Sequence, residues 1–223
     1  MRSKAAATLT ADHKEPAAVQ SYILRLALFV FTGLLIGVTI ALAVLPQARE
    51  RLFPSGGIRS VGQALIGGPF TLTDHTGKRV TDQDFRGRYM LVFFGFTNCP
   101  DVCPSALQVV SAALNKLGSK ADRFVPILIT IDPERDKPAE LSAYVESFHP
   151  RLVGLTGSPE EINTAVKAYR VYVRKTEDPK STAGYTYDHT SLIYVMAPDG
   201  TYRTHFTHTT DADALAQRLE SLL

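Results

Sequence analysis

The sequence lacks the features that mark several common classes of protein. It has no Gly-rich phosphate-binding loop, and no residue pattern in it indicates a nucleotide, flavin or haem site. It also lacks a basic domain: the formal net charge is only +2, and residues 54–223 hold eighteen basic and nineteen acidic residues. Because such a chain offers no positive surface to neutralise phosphates, we do not expect it to bind nucleic acid.

Sulfur-containing residues are scarce as well. The 223 residues include two cysteines, Cys99 and Cys103, and three methionines, Met1, Met90 and Met196. So few methionines exclude a Met-rich metal-binding surface, and any soft metal ion would have to be bound by cysteine and histidine. Sulfur chemistry in this chain therefore depends on one pair of cysteines.

An apolar stretch without charged residues runs from Leu26 to Leu45. As a helix, its twenty residues would be about 30 Å long, which is enough to cross the hydrocarbon core of a membrane. A cleaved signal peptide is the alternative, because the sequence Ala-Leu-Ala at 41–43 resembles a cleavage site. However, 25 residues precede the stretch, and it exceeds the roughly 7–15 apolar residues of a usual signal peptide. We therefore predict a retained N-terminal transmembrane helix at 26–45.

The basic residues around this stretch predict its orientation. Four Lys or Arg residues precede it and three follow it by residue 59, a thin bias that places the C-terminal part outside the cytoplasm. Residues 1–25 are then a cytoplasmic N-terminal tail, and residues 46–68, with two prolines and four glycines, form a linker. Residues 69–223 are long enough for one folded domain with a well-buried core.

Alternating strand and helix patterns predict an α/β fold for residues 69–223. Continuous apolar runs at 89–96 and 124–131 are typical of strands buried on both faces, and a helical pattern follows each of them. Turn sequences at 74–77 and 199–200 predict two hairpins, and a last helix closes the chain. This order predicts a thioredoxin-like fold, a mixed sheet flanked by helices. Alternation alone also allows a flavodoxin-like sheet, but the position of the cysteines favours the former.

Cys99 and Cys103 lie between the first apolar strand and the helix that follows it, in the sequence Cys-Pro-Asp-Val-Cys-Pro at 99–104. A helix N-terminus there would stabilise a thiolate and lower the thiol pKa. Three interpretations are open. The pair could form a structural disulfide, although so small a loop would gain little stability. It could be a dithiol redox site, or part of a soft-metal site for Cu(I) or Zn²⁺ that needs a third ligand, most naturally a histidine.

His189 is the histidine best placed to provide that ligand. It lies just before an apolar strand, and in a thioredoxin-like sheet the loop before that strand lies against the start of the active-site helix. Asp188 would then orient or support the imidazole ring. A purely structural histidine is the alternative. The other five histidines have more ordinary explanations, as solvated, helix-end or edge residues: His13, His75, His149, His205 and His208.

The charged sequence Asp-Pro-Glu-Arg-Asp at 132–136 follows the second apolar strand. The carboxyl ends of strands line the functional edge of open α/β sheets, so this segment could serve the site. The simpler expectation is a solvated loop that leads into a helix at Pro138. Asp101, between the cysteines, would tune their charge or contact a partner, without a role as a ligand.

Three segments together resemble the Sco/SenC family: Gly-Phe-Thr-Asn-Cys-Pro-Asp-Val-Cys-Pro at 95–104, Thr-Ile-Asp-Pro-Glu-Arg-Asp at 130–136 and Asp-His-Thr at 188–190. The resemblance runs from about Pro69 to Leu223, and the preceding anchor also fits the family. It implies a thioredoxin-like fold with a hairpin inserted near the histidine, and the residues at 184–187 fit that insertion.

The resemblance also implies a function. Members of the family are membrane-anchored copper-binding proteins that help to assemble cytochrome c oxidase, and by this resemblance Cys99, Cys103 and His189 are the copper ligands. Two thiolates and one imidazole suit Cu(I), whereas Cu(II) would need a further oxygen or solvent ligand. The expected copper acceptor is cytochrome c oxidase subunit II.

Further expectations concern other partners and the location of the protein. A disulfide between Cys99 and Cys103 must be reduced before copper is loaded, so we expect partners among other periplasmic copper chaperones or thiol reductants. The N-terminus is neither rich in arginine nor free of acidic residues, which makes it a poor transit peptide. We therefore expect a bacterial inner-membrane protein with a single span and its C-terminal domain in the periplasm.

Two enzymatic functions are alternatives to a metallochaperone. A thiol–disulfide oxidoreductase would use Cys99 and Cys103 as a redox-active catalytic pair, but three residues separate them where thioredoxins have two. A peroxidase resembling the peroxiredoxins would need a threonine three residues before its cysteine, where this chain has Phe96 or Pro100.

Overall fold

The computed structural model describes residues 17–44, 65–179, 181 and 184–223. The chain forms two compact units, Met1–Gly62 and Gln63–Leu223. In the first unit, helix α1 spans Ala17–Val44. Within the described part of the chain, no helix has the combination of length and apolarity that a membrane span requires. The anchor therefore stays a prediction, and most of the predicted tail and linker lies outside the described residues.

In the described part of the second unit, nine strands form two sheets. The strands are β1 (Thr71–Asp74), β2 (Arg79–Thr81), β3 (Tyr89–Gly95), β4 (Phe124–Thr130), β5 (Val153–Thr156), β6 (Val173–Glu177), β7 (Tyr185–His189), β8 (Leu192–Met196) and β9 (Tyr202–Thr207). Seven of them form a mixed sheet in the order β2-β1-β5-β4-β3-β8-β9.

The centre of this sheet is parallel and its flanks are antiparallel. β3, β4 and β5 are parallel neighbours, whereas β1 pairs antiparallel with β5 and β8 pairs antiparallel with β3. Every residue of β4 and all but the first residue of β3 are buried, which is why these two strands have continuous apolar sequences. Both buried strands and the hairpins β1–β2 and β8–β9 confirm the predicted elements.

Helices flank the sheet and contribute to its core. They are α2 (Val102–Leu117), α3 (Pro138–Val145), α4 (Pro159–Ala168) and α5 (Ala212–Glu220), with short 3-10 turns at Asp82–Phe85 and Gly118–Arg123. α2 begins within the cysteine loop, as the sequence predicts, and packs on α5. α4 begins with a capping box, in which the Ser158 hydroxyl accepts the Glu161 N–H and the Glu161 carboxylate accepts the Ser158 N–H.

Residues 65–68, part of the linker predicted from the sequence, lie on this second unit. The Gly67 N–H donates to the Ala168 carbonyl at 2.9 Å. Arg170 Nε donates to the Leu65 carbonyl at 3.3 Å. The contacts of the second unit therefore begin before Pro69.

β6 and β7 form a separate antiparallel hairpin. Val173 pairs with His189, which is the last residue of β7. The hairpin is consistent with the insertion that the resemblance implies. β6 itself is not predicted from the sequence, because three of its five residues are exposed and its apolar content is too low to indicate a strand.

Candidate metal centre

The cysteine loop joins β3 to α2. Cys99 lies in this loop and is partly buried, whereas Cys103 is the second residue of α2 and is fully buried. Both are free thiols. The backbone N–H of Cys103 donates a hydrogen bond to the Cys99 sulfur at 3.4 Å. The helix N-terminus therefore stabilises negative charge on Cys99, in agreement with the sequence-based expectation.

Gly95, the last residue of β3, leaves space for the Cys103 side chain. A Cβ atom at this position would lie 2.9 Å from the Cys103 sulfur and 2.9 Å from a ring carbon of Phe93. Both neighbours are buried, so neither has free space to move into. The sulfur can thus lie at the end of β3 because residue 95 has no side chain.

The imidazole of His189 reaches the buried cysteine from β7. Its Nε2 atom lies 3.8 Å from the Cys103 sulfur, and its Nδ1 atom lies 3.1 Å from the Thr190 carbonyl oxygen. Because a carbonyl oxygen can only accept, we assign the proton to Nδ1, which leaves the Nε2 lone pair directed at the sulfur. The edges of Phe93 and Phe96 enclose the ring, with centroids 6.2 and 6.1 Å away.

The separation between Cys103 and His189 suits two ligands of one metal ion. For typical metal–sulfur and metal–nitrogen distances of about 2.3 and about 2.0 Å, an angle of about 120° corresponds to a sulfur–nitrogen distance of about 3.7 Å. The observed distance is 3.8 Å. Among the described residues, however, no three His, Cys, Asp or Glu side chains form a ready-made metal cluster. The sulfur of Cys99 lies near this pair, since it accepts the Cys103 N–H at 3.4 Å.

The two cysteine side chains shift each other's pKa in opposite directions. The hydrogen bond from the Cys103 thiol lowers the pKa of Cys99 to about 4; burial opposes this shift, and nearby backbone N–H groups add to it. The same hydrogen bond, followed by burial, raises the pKa of Cys103. At neutral pH, Cys99 is therefore a thiolate and Cys103 a thiol. Since Cys99 is also the more exposed of the two, an incoming metal ion or disulfide would meet it first.

The segment 132–136 is not a solvated loop, and that expectation is wrong. Asp132 and Asp136 are both 0% exposed. The Asp136 carboxylate accepts hydrogen bonds from the Thr97 N–H at 3.0 Å, the Thr97 hydroxyl at 2.6 Å and the Thr130 hydroxyl at 2.6 Å. Burial nevertheless raises the pKa of Asp136. The sequence did not reveal this burial because some of the partners that satisfy these carboxylates are distant along the chain.

Asp188 does not orient the ring of His189, contrary to the expectation from the sequence. Its carboxylate accepts hydrogen bonds from Arg174 Nη2 at 3.2 Å and from the Thr176 hydroxyl at 3.3 Å. Neighbouring residues of a strand point to opposite faces, so the two side chains diverge. The backbone carbonyl of Thr190 holds the imidazole instead. The pairing of β6 with β7 decides this outcome, and β6 has no clear signal in the sequence.

Other polar candidates have partners of their own. Asp101 is exposed and accepts a hydrogen bond from the Ser105 hydroxyl at 3.3 Å. His149 is buried, and its Nδ1 accepts the Arg151 N–H at 3.2 Å. His205 is exposed on the edge strand β9, with its Nδ1 2.5 Å from a tyrosine hydroxyl. His13 lies outside the described residues.

The fold and this arrangement define a class of protein: an α/β domain with a dithiol–imidazole site at the carboxyl end of the buried strand β3. The SCO1/SenC family model matches residues 59–223 of the chain. The chain belongs to this family.

Relatives with known names are similar over the same region. The chain is 43% identical over 157 residues to Protein SCO1 homolog 1, mitochondrial, of Arabidopsis thaliana. It is 44% identical over 153 residues to Protein SCO1 homolog, mitochondrial, of Homo sapiens. These matches cover 70% and 66% of this chain but 46% and 50% of the relatives, so the chain spans about half the length of these proteins.

Solved structures are similar as well. The crystal structure of Arabidopsis thaliana ScoI with copper bound is 41% identical with a TM-score of 0.67, over 70% of this chain and 96% of that one. Bradyrhizobium japonicum ScoI with copper bound is 45% identical with a TM-score of 0.66, over 71% and 99%. BsSco, a Sco-family cytochrome c oxidase assembly protein in which a disulfide switch was identified, is 26% identical with a TM-score of 0.56, over 70% and 92%.

Proposed function

We propose that this protein is a copper metallochaperone that binds Cu(I) or Cu(II) through Cys99, Cys103 and His189. It would assist copper-centre assembly in cytochrome c oxidase subunit II. One observation carries the proposal: a pair of free thiols at a helix N-terminus lies beside a histidine whose Nε2 is 3.8 Å from the Cys103 sulfur. The copper bound in two similar structures supports it.

The donor set fits copper that is carried as cargo. Two thiolates and a neutral imidazole suit Cu(I), and Cu(II) would add an oxygen or solvent ligand. Cys99 is already ionised at neutral pH, whereas Cys103 must release its proton to solvent when its sulfur binds the metal. His189 offers Nε2 and keeps its Nδ1 proton on the Thr190 carbonyl. Other periplasmic copper chaperones or thiol reductants would keep the pair loaded or reduced.

Anaerobic titration of the reduced full-length protein in detergent tests this proposal. We expect wild type to bind either copper ion in a one-to-one complex. His189→Ala should lose Cu(II) binding and bind Cu(I) at least about 100-fold more weakly, because even the loss of a group that only supports a ligand costs roughly 10–100-fold. The matched control is His205→Ala, which removes an exposed histidine and should bind like wild type. Copper binding indifferent to His189 would overturn the three-ligand site.

A thiol–disulfide oxidoreductase is the second candidate function, and the lowered pKa of Cys99 favours it. The Cys99 thiolate would attack a disulfide of the oxidase subunit or of another copper protein, forming a mixed disulfide. The Cys103 thiolate would then attack the Cys99 sulfur of the mixed disulfide and release the substrate, leaving a Cys99–Cys103 disulfide and two thiols on the substrate. Weak copper binding, combined with disulfide reduction at a rate that His189→Ala leaves unchanged, would favour this function over copper transfer.

We also propose that residues 26–45 anchor the chain in a bacterial inner membrane. Residues 1–25 would then be cytoplasmic, 46–68 would form the tether, and 69–223 would be a thioredoxin-like domain in the periplasm. The length and apolarity of residues 26–45 support the anchor. The strand order β4-β3-β8-β9, with α2 following β3, supports the thioredoxin-like assignment. After alkaline extraction, the full-length chain should stay with the membranes and a chain lacking residues 1–45 should not. Release of the full-length chain would contradict an anchor.

A further inference from the structure

One face of β7 carries three side chains that point towards the site: Tyr185, Tyr187 and His189. Side chains alternate along a strand, so residues spaced by two share a face. The ring centroid of Phe96, which begins the cysteine loop, lies 5.5 Å from that of Tyr187 and 6.1 Å from that of His189. The position of the histidine is therefore coupled to the position of the two tyrosines.

The β6–β7 hairpin depends on side-chain contacts for its position, because in the described part of the chain its strands pair only with each other. An isolated two-stranded hairpin is at best marginally stable in water. Asp132, which follows β4 and is fully buried, accepts hydrogen bonds from the Tyr185 hydroxyl at 3.2 Å and, more weakly, from the Tyr187 hydroxyl at 3.5 Å. These hydrogen bonds connect the segment that follows β4 to β7, the strand that carries His189.

Two basic residues strengthen this connection. Arg135 Nε donates to the Asp132 carboxylate, and the guanidinium lies 4.2 Å from the ring centroid of Tyr185. From the other strand of the hairpin, the Lys175 ammonium lies 3.7 Å from the same ring and pairs with Glu134 at 2.9 Å. Contacts from both strands of the hairpin therefore converge on the segment 132–136, with the buried Asp132 carboxylate at their centre.

We propose that Asp132 is a positioning residue for copper binding: through the hydroxyls of Tyr185 and Tyr187 it holds β7 so that His189 Nε2 faces the Cys103 sulfur. This inference rests on the proposed copper function. Asp132 itself binds no metal. It acts through the tyrosines, so removing their hydroxyls should loosen the histidine while the cysteine loop keeps its structure.

The test uses the double variant Tyr185→Phe/Tyr187→Phe, which retains both rings and removes only the hydroxyl groups. We expect Cu(I) affinity to fall about 10-fold, the lower end of the range for losing a group that supports a metal ligand. The nitrogen hyperfine signal of bound Cu(II) should also become weaker or heterogeneous. Tyr172→Phe, an exposed tyrosine beside β6, is the matched control and should leave both readouts unchanged.

A double-mutant cycle separates positioning from a general loss of stability. In a His189→Ala background, where two thiolates still bind Cu(I), the tyrosine double variant should cause no further loss of affinity, because no histidine remains to be positioned. An equal loss in both backgrounds would overturn the inference, as would an unchanged affinity in the wild-type background. Asp132→Ala is a second variant, which removes the acceptor of both tyrosine hydroxyls, and it should behave like the tyrosine pair.

Amide hydrogen exchange of β7 in the metal-free protein distinguishes failure of this inference from failure of the copper function. We expect faster exchange at residues 185–189 in the tyrosine double variant than in Tyr172→Phe. Unchanged exchange would overturn the inference even if copper binds as proposed. If His189→Ala binds copper like wild type, the proposed three-ligand site fails, and positioning for copper fails with it. In that case, faster exchange would show only that the tyrosine hydroxyls hold the β6–β7 hairpin in place.

Discussion

Replacing Cys99 and Cys103 together with serine should abolish copper binding, with Cu(I) affinity reduced by at least about a thousandfold. A serine hydroxyl stays protonated at neutral pH and is a poor ligand for a soft ion, so His189 alone would remain. A thousandfold loss corresponds to about 4 kcal/mol, about a third of the roughly 10–16 kcal/mol with which proteins bind structural zinc in thiolate-containing sites. The expected effect is therefore a conservative one.

Competition with a Cu(I) chelator under anaerobic conditions measures this loss. The matched control is Ser105→Ala, which removes an exposed hydroxyl from the same first turn of α2 and should keep wild-type affinity. Each single cysteine variant should also lose most of the affinity, because the remaining sulfur and the imidazole provide only two ligands. Tight copper binding by the double serine variant would contradict the assignment of the cysteines as ligands.

The centre of the fold and the cysteine site could be predicted because their signals are local. β3 and β4 are buried on both faces, so their sequences are continuously apolar and indicate strands without knowledge of their neighbours. The cysteines lie where such a strand meets a helix, which predicts a helix N-terminus beside the sulfurs. His189 could be proposed from its place just before the apolar strand β8, and the structure places it beside Cys103.

The rest depends on contacts between residues that are far apart in the sequence. β6 has mostly exposed residues, and its pairing with β7 decides that Asp188 points away from the imidazole. Asp132 is satisfied partly by tyrosines more than fifty residues later. A charged sequence is usually solvated, and only the folded neighbours show that two of its carboxylates are buried. Sequence patterns report such long-range partners poorly.

Asp136→Ala should destabilise the folded domain by about 3–5 kcal/mol. The substitution removes the acceptor of three hydrogen bonds and leaves the Thr97 N–H and the hydroxyls of Thr97 and Thr130 without it. Each buried donor left without an acceptor costs about 1–3 kcal/mol. Part of this cost is recovered, since the two hydroxyls can rotate to other acceptors. The substitution also removes a buried charge, and the raised pKa of Asp136 shows that burying this charge is itself unfavourable. Thermal or chemical denaturation of the metal-free protein measures the loss.

Glu134→Ala provides the matched control within the same segment. Glu134 is exposed and pairs with Lys175, and a surface ion pair contributes only about 0.2–1 kcal/mol. The loss of stability in Asp136→Asn should lie between those of Asp136→Ala and Glu134→Ala, because an amide keeps one acceptor oxygen for the threonines.

The effect of Asp136→Ala should extend to the metal site, since Thr97 lies two residues before Cys99 and is held to β4 through this carboxylate. If Asp136→Ala were as stable as Glu134→Ala, the buried carboxylate would not be what connects the cysteine loop to the central sheet.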